Sequence, residues 1–297
     1  MNAGTPVRAS RGIKPYILHL RPAEWPVMAA HTSVGLLLAT GLHAPDPIAW
    51  LGVGVWVLLL NGGTLALNSA FDRDEGDIAF LRRPPPPPKF LALFSVILMA
   101  SGLGLTWWLG PAYRTVYVVC MAMSVAYSVP PLRLKAVAGA DWAINMFGFG
   151  VLTPYAGWAA SGRPLAATLI PVLWSFLPLF AALYPLTQLY QIDEDRARGD
   201  RTLAVRLGVR TSVTVAIFCT ALAFGMLAMA GWRSHWLDHA PIRWSVLGIA
   251  AVAWATVLAP WSRNARVWSS QEHQRAMYHA LAAWALTDVA VLLAWAA

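Results

Sequence analysis

The chain has 297 residues, of which 58% are hydrophobic and only 12% are charged. A soluble globular domain has about 25% charged residues, so the composition excludes an ordinary soluble protein and predicts an all-α, polytopic membrane protein. The net charge of +8 does not indicate nucleic-acid binding, because the basic residues are dispersed between apolar segments.

Apolar runs follow one another along the chain, and their lengths predict about nine transmembrane helices. The predicted spans are 26–43, 48–70, 89–109, 112–130, 140–160, 168–190, 211–231, 243–261 and 277–296. Residues 1–25 are basic and lack an apolar core of signal-peptide length. We therefore expect a cytoplasmic, interfacial segment over residues 1–25 and one membrane domain over residues 26–297, located in a bacterial inner membrane.

The basic residues predict one orientation in the membrane. With the N-terminus inside, all but four of the 22 Lys and Arg residues fall in the tail or in cytoplasmic loops, as the positive-inside rule expects. The four on the outer side are Arg114, Arg163, Arg233 and Arg243. The acidic stretches described next would then lie on the cytoplasmic side.

Acidic residues are concentrated at the ends of the second and sixth spans. In both places an amide is followed, after three residues, by the sequence Asp-Arg-x-x-Gly-Asp. The matching positions are Asn68, Asp72, Arg73, Gly76 and Asp77 in the first copy, and Gln191, Asp195, Arg196, Gly199 and Asp200 in the second. The repeat predicts duplication of a four-helix unit, whose two copies meet at a shared site.

The spacing within each copy indicates a metal site. Residues four apart share a face of a helix, so Asn68 and Asp72 point one way, as do Gln191 and Asp195. If the two helices face each other, their oxygens converge at one end of the bundle. Such a set suits Mg²⁺, which usually shares its coordination shell with substrate phosphates and can stabilise a diphosphate as a leaving group.

At these residues the sequence resembles the UbiA superfamily of intramembrane prenyltransferases, which have about nine helices and aspartate-rich motifs after the second and sixth. Further similar stretches are LRPAEW (20–25), YSVPPLRLK (127–135) and RTLAVRLG (201–208). Two positions depart from the family pattern. Gly76 stands four residues after Asp72, and Gln191 stands at the first position of the second motif, where the family has aspartate in both cases. The departures affect the expected metal binding and substrate more than the expected fold.

The resemblance implies that an isoprenyl diphosphate binds with its head at the acidic motifs and its tail among the apolar helices. Ionisation would give an allylic cation, which a lipophilic aromatic or lipid acceptor attacks. The implied ligands of two or more Mg²⁺ ions are Asn68, Asp72, Asp77, Gln191, Asp193, Asp195 and Asp200. The implied catalytic residues are Asp72, Asp195, Tyr127 and Lys135. The implied diphosphate ligands are Arg73, Arg133, Lys135 and Arg201, and Asn145 is a candidate for the acceptor pocket.

Other interpretations stay open at this point. An intramembrane terpene cyclase would use the same ionisation site, so the motifs do not separate it from a transferase. An ion-coupled transporter would carry its carboxylates within the spans, and a CDP-alcohol phosphotransferase would need a DGxxAR-type motif that is not visible. Topology alone explains Arg133 and Lys135 equally well, and interfacial anchoring explains Tyr127.

Three further polar residues lie inside predicted spans. An isolated carboxylate in the ninth span costs about 2.5–3.5 kcal/mol on the insertion scale, so Asp288 is expected to make a structural hydrogen bond inside the bundle. His31 and His279 have no second ligand at metal spacing and are expected to be packed or hydrogen-bonded. The run of prolines at 84–88 predicts a stiff polyproline segment.

Overall fold

The computed structural model describes residues 12–43, 46–72, 81, 84–236 and 240–296. The described chain is built of α-helices with short 3₁₀ and π segments, which confirms the predicted all-α class. An isolated parallel bridge joins Val137 and Arg201, and it holds the loop after the fourth helix beside the segment that follows the sixth.

Helices lie over all of the predicted spans. In chain order they are α1 (Trp25–Thr40), α2 (Pro47–Asp72), α3 (Leu91–Trp108), α4 (Pro111–Ser128), α5 (140–160), α6 (Ala167–Arg198), α7 (Leu203–Arg233), α8 (Ile242–Asn264) and α9 (Ser270–Trp295). A short helix, Lys14–His19, and a 3₁₀ turn, Pro22–Glu24, precede α1.

Six of the helices in the described part of the chain are long and apolar enough to cross a membrane. The exceptions are α1, α4 and α5, which are shorter or less apolar. The chain is therefore a polytopic membrane protein as expected, whereas nine crossings and the division at residue 25 remain predictions.

The helices α1 and α5 pack backbone to backbone. A Cβ atom added to Gly35 would lie 1.6 Å from the carbonyl oxygen of Pro154, and one added to Gly157 would lie 1.8 Å from that of Thr32. Small residues allow this close approach between membrane helices. The predicted duplication assigns α1 and α5 to equivalent positions, so the two copies would meet at this contact.

Two helices contain a π-helical segment: α2 over Val55–Asn61 and α5 over Met146–Leu152. The segment in α5 precedes Pro154, whose missing N–H and bulky ring disturb the preceding turn. Its carbonyl groups accept hydrogen bonds from side chains, because Thr153 Oγ1 donates to Gly148 at 2.9 Å and His31 Nε2 lies 2.9 Å from the oxygen of Phe149. Such segments are frequent at functional sites, and both line one cavity here.

The first and last helices are joined by a buried polar pair. His31 Nδ1 in α1 lies 2.9 Å from Asp288 Oδ1 in α9, and both side chains are almost fully buried. The expected structural hydrogen bonds of Asp288 and His31 are thereby confirmed. The expectation for His279 was wrong, because His279 is exposed along a groove between α8 and α9. Residues 84–88 form no helix or turn.

Candidate active site

A cavity of about 280 Å³ opens between α1, α2, α4, α5, α6 and α9. Its wall is largely apolar and includes Leu60, Leu183, Phe180 and Trp284. Polar residues near the helix ends, among them Asn68, line the same cavity. The cavity therefore has two parts. We call the polar end, which includes Asn68, the mouth, and the apolar part, which includes Leu60, Phe180, Leu183 and Trp284, the chamber.

The first acidic motif meets the loop after α4 at this mouth. Lys135 Nζ donates a hydrogen bond of 3.0 Å to Asn68 Oδ1 and forms an ion pair with Asp72. The shared contact agrees with the prediction that Asn68 and Asp72 point the same way from α2. Lys135 is only 10% exposed, so it is a buried side chain held by these two residues rather than a solvated loop residue.

The two acidic stretches meet at Arg133. Its Nη2 lies 3.6 Å from Asp72 Oδ1, and its Nη1 lies 3.6 Å from Asp200 Oδ1. Arg133 adopts a left-handed backbone conformation with φ of 34°, which is uncommon for a residue with a side chain. The structure thus brings together the ends of α2 and α6, as the repeat predicted.

The second acidic stretch folds back on itself after α6. Gly199 ends the helix with φ of 77°, and Asp200 N then donates to the carbonyl of Asp195 at 3.0 Å. Arg198 bridges both acids, with Nη2 2.5 Å from Asp195 and Nε 3.4 Å from Asp200. Thr202 Oγ1 donates to the other oxygen of Asp195 at 3.3 Å. Asp195 is 6% exposed, so its charge is compensated by these partners.

The other predicted metal and diphosphate ligands differ in how the structure places them. Asp193 is 81% exposed and pairs with Arg196 at 3.2 Å, beside a separate groove. Arg201 is also exposed. Gln191 lies in the 3₁₀ turn Leu189–Gln191. The α-helix is interrupted there, so the four-residue spacing does not by itself place Gln191 and Asp195 on one face. Arg73 and Asp77 lie outside the described residues.

Tyr127 and Asn145 both line the cavity. The hydroxyl of Tyr127 lies 3.0 Å from that of Tyr184, so the two tyrosines join α4 to α6. Asn145 Nδ2 donates to the carbonyl of Asp141 at 2.8 Å. Both residues line the same cavity as Arg21 and Asn68.

A buried hydrogen-bond network around Asp141, which was not predicted from the sequence, connects the helices next to the mouth. Asp141 is fully buried and accepts hydrogen bonds from the amides of Gly139 and Trp142 at 2.9 and 2.8 Å. It also accepts from Gln188 Nε2 at 3.2 Å and from the amide of Leu203 at 3.0 Å. A buried carboxylate needs such donors. Asp141 therefore fixes α5, α6 and α7 relative to one another.

Arg21 is a further residue of the mouth that was not predicted. It is 8% exposed, lines the cavity and pairs with Glu24 at 3.4 Å. Its Nε has no hydrogen-bond partner among the described residues, and its φ of 50° is left-handed. Strained backbone of this kind clusters at functional sites. The sequence signal was a single arginine before Pro22, which topology explained equally well.

The oxygen donors of the mouth are compatible with a divalent cation. No group of three His, Cys, Asp or Glu residues suited to a metal occurs in the part of the chain that the structure describes. Mg²⁺, however, is usually bound by one or two carboxylates together with substrate phosphates. The donors available are Asn68, Asp72, Asp195 and Asp200. This set fits an ion shared with a phosphorylated substrate.

Comparison with known proteins gave matches over most of the chain. The model of the UbiA prenyltransferase family matches residues 27–295. A digeranylgeranylglyceryl phosphate synthase of Natronomonas pharaonis is 30% identical over 256 residues, which cover 81% of this chain and 87% of that protein. A probable chloroplastic homogentisate phytyltransferase 2 of Oryza sativa subsp. japonica is 26% identical over 281 residues, covering 83% and 73%.

Solved structures show the same fold at lower sequence identity. A UbiA homolog from Archaeoglobus fulgidus bound to GPP and Mg²⁺ has a TM-score of 0.65 and 17% identity, covering 94% of this chain and 99% of that one. A digeranylgeranylglyceryl phosphate synthase has a TM-score of 0.69 and 16% identity, covering 95% and 98%. The likeness extends over the helices that form the cavity.

Proposed function

The chain belongs to the UbiA prenyltransferase family, and from this premise we propose that it transfers the prenyl group of an isoprenyl diphosphate to a lipophilic acceptor in the membrane. One observation carries the proposal: Arg133 lies 3.6 Å from both Asp72 and Asp200, at the mouth of a largely apolar cavity. Cations and carboxylates at the mouth suit a metal-bound diphosphate, and the apolar wall suits a prenyl chain.

The basic residues of the mouth bind the diphosphate. Arg133, Lys135 and Arg198 contact carboxylates, and the Nε–H group of Arg21 has no hydrogen-bond partner among the described residues. Guanidinium groups bind phosphate oxygens through paired hydrogen bonds. A diphosphate entering the mouth would share these cations with the acidic residues, and the oxygens thus released would become available to metal ions.

Asn68, Asp72, Asp195 and Asp200 would hold the Mg²⁺. When bound, Mg²⁺ supplies positive charge to the leaving diphosphate. The Archaeoglobus fulgidus homolog is bound to GPP and Mg²⁺, which supports the use of Mg²⁺ by analogy. Asp193 is not required, since it is 81% exposed and pairs with Arg196 rather than with the cluster.

The apolar chamber protects the cation formed at C1 of the prenyl group. The C1–O bond breaks with its electron pair on the diphosphate, and the acceptor then forms the new bond to C1. Aromatic rings stabilise a cation through their negative faces. Phe149 and Phe180 stack at 5.2 Å, and Trp284 meets Phe180 edge to face at 5.5 Å. All three rings line the cavity, where exclusion of water suppresses hydrolysis.

The proposal is tested by release of diphosphate from geranylgeranyl diphosphate, measured with and without Mg²⁺ in purified protein. Asp72→Asn and Asp195→Asn should each lower the Mg²⁺-dependent rate by at least about 100-fold, a typical effect of removing a preorganised electrostatic partner. Near-normal rates in either variant would contradict the two-motif site.

The aromatic wall also favours a second candidate, a terpene cyclase of the same fold, because Phe149, Phe180 and Trp284 could stabilise a cation along a folded chain. The two functions differ in their products. Incubation with geranylgeranyl diphosphate and no acceptor yields a cyclic hydrocarbon only if the cyclase interpretation is correct.

A further inference from the structure

A second basic site lies outside the cavity. A groove opens where the end of α6, the start of α7 and the loop before α9 meet, and none of its described lining residues belongs to the cavity. Asp193 and Arg196 of the second acidic stretch form part of its wall, so the groove lies on the side of the bundle that carries the mouth. We call it the arginine groove, because Arg196, Arg210 and Arg266 line it.

The charges of the arginine groove do not balance. Arg196 pairs with Asp193 at 3.2 Å, so these two charges compensate each other. Arg210 and Arg266 are exposed, and neither guanidinium forms an ion pair or a hydrogen bond with a residue that the structure describes. Glu272, the first acid of α9, belongs to a capping box and does not line the groove. The described wall therefore carries two uncompensated positive charges, which favour an anionic ligand.

His273 gives the arginine groove a buried hydrogen-bond donor. Its side chain is 4% exposed and lines the groove, and its Nδ1 accepts a hydrogen bond of 2.9 Å from Trp261 Nε1. Because an indole N–H only donates, Nδ1 carries no proton and Nε2 is the protonated nitrogen of the ring. Nε2 makes no hydrogen bond within the described ranges, and it is not one of the fully enclosed polar atoms. An anion in the groove would supply its acceptor.

A break in α7 shapes the arginine groove. Gly208 has φ of 75° within the helix, a conformation that glycine adopts without steric cost. Five consecutive residues, 207–211, line the groove. Successive side chains of a regular helix point about 100° apart, so an unbroken helix would turn some of the five away. The break therefore brings Arg210 and the hydroxyl of Thr211 to the same groove as His273.

The surroundings of the arginine groove indicate a lipid as the source of the anion. Trp268 lines both the arginine groove and the groove between α8 and α9, whose wall is largely apolar and reaches Leu286. Val267, between Arg266 and Trp268, is 78% exposed. An exposed apolar side chain beside tryptophan and arginine is typical of the membrane interface. A phosphate in the first groove and an acyl chain in the second can belong to one molecule.

We infer that the arginine groove binds the phosphate group of an anionic phospholipid, whose acyl chain lies in the groove between α8 and α9. Guanidinium groups bind phosphate oxygens through charge-assisted hydrogen bonds, and basic pockets between membrane helices recognise anionic headgroups. The positive charge of the described wall favours a lipid with net negative charge over a zwitterionic one. The inference does not depend on the proposed function.

The test measures lipid binding to the purified full chain in detergent by native mass spectrometry. Phosphatidylglycerol should bind at least about tenfold more tightly than phosphatidylcholine with the same acyl chains. The double change Arg210→Gln and Arg266→Gln should raise the Kd for phosphatidylglycerol about tenfold or more, and that for phosphatidylcholine less than about twofold. The matched control is Arg206→Gln with Arg263→Gln, which removes the same charge at nearby exposed arginines that do not line the groove.

His273→Asn tests the buried donor. The amide oxygen of asparagine can take the place of Nδ1 as the acceptor for Trp261, whereas the group at the position of Nε2 is lost. The Kd for phosphatidylglycerol should rise about tenfold, the effect of one hydrogen bond to a charged group. The melting temperature without added lipid reports separately on the fold, and it should stay close to that of the unmodified protein.

Three outcomes would overturn the inference. The first is equal affinity for the two lipids, and the second is an equal effect of the test and control double variants. The third is displacement of phosphatidylglycerol by an equal concentration of inorganic phosphate, which would assign the groove to a soluble phosphate compound. A protein that binds phosphatidylglycerol as described but releases no diphosphate with Mg²⁺ would refute the proposed function and leave this inference intact.

Discussion

Arg133 lies between Asp72 and Asp200, 3.6 Å from a carboxylate oxygen of each. The two acids belong to acidic stretches at the ends of different helices, so one side chain joins both halves of the predicted site. Because Arg133 pairs with both carboxylates, a diphosphate that binds as proposed would exchange partners with them at this position.

Arg133→Met tests whether the guanidinium that contacts both acidic stretches is needed for binding of the donor. Loss of the guanidinium removes the proposed phosphate ligand and leaves Asp72 and Asp200 to repel each other, so the KM for an isoprenyl diphosphate should rise about tenfold or more. The measurement is steady-state release of diphosphate against donor concentration. Arg206→Met, at an exposed arginine outside the mouth, is the control, and equal effects of both changes would refute a specific role for Arg133.

Asp193 and Asp195 provide an internal comparison within the second motif. Asp195 is 6% exposed and bonded to Arg198 and Thr202, whereas Asp193 is 81% exposed and paired with Arg196. Asp193→Asn should therefore keep at least about half of the Mg²⁺-dependent activity, while Asp195→Asn loses about 100-fold or more. A loss of similar size in Asp193→Asn would indicate that Asp193 binds the metal, and it would contradict the proposal that the metal ligands are in the cluster around Asp195.

Arg21→Gly separates backbone strain from ligand binding. Glycine adopts a left-handed conformation without steric cost, so this change should leave the melting temperature unchanged or slightly higher. The guanidinium is lost, and the KM for the donor should rise about tenfold. Burial raises the pKa of Glu24, and the charge of Arg21 opposes that shift; loss of Arg21 therefore favours the neutral form of Glu24. A lower melting temperature with unchanged KM would assign Arg21 a structural role only.

Asp141→Ala should destabilise the protein. The change leaves the amides of Trp142 and Leu203 and the side chain of Gln188 without their acceptor, at a cost of about 3 kcal/mol or more. Thermal unfolding in detergent measures the loss, with Glu194→Ala as the control, because Glu194 is exposed in the same region of the fold. An unchanged melting temperature in Asp141→Ala would show that the network does not hold α5, α6 and α7 together.

The predicted orientation is open to a labelling experiment. Ser234, after α7, and Pro86, before α3, are both exposed, so each can be replaced by cysteine in a separate variant. The native Cys120 and Cys219 are buried and should react little with the reagent. With the N-terminus inside, an impermeant thiol reagent added to intact cells should label Cys at position 234 and leave position 86 unlabelled until the membrane is opened. The reverse pattern would invert the topology.

Much of the site followed from local sequence signals. Helix-forming apolar runs are properties of consecutive residues, so helices lie over all of the predicted spans, although α6 ends eight residues later than predicted, and α7 and α9 begin eight and seven residues earlier. The repeated Asp-Arg-x-x-Gly-Asp pattern identified Asp72, Asp195 and Asp200, and the stretch at 127–135 identified Arg133 and Lys135. The structure brings these five residues into one cluster. Their specific roles as metal and diphosphate ligands remain proposals.

The remaining features depend on contacts between helices that are distant in the chain. The 3₁₀ turn at Leu189–Gln191 altered which side chains share a face, and the network around Asp141 joins three helices. Neither leaves a periodic signal in the sequence.

The sequence by itself determined the all-α membrane fold and the two acidic motifs, because hydropathy and spacing act over one helix at a time. Only the tertiary structure decided that Arg133 joins the motifs and that Arg21 lines the mouth. The physical reason is that the role of a buried polar group depends on its hydrogen-bond partners. Those partners come from other helices that are distant in the sequence.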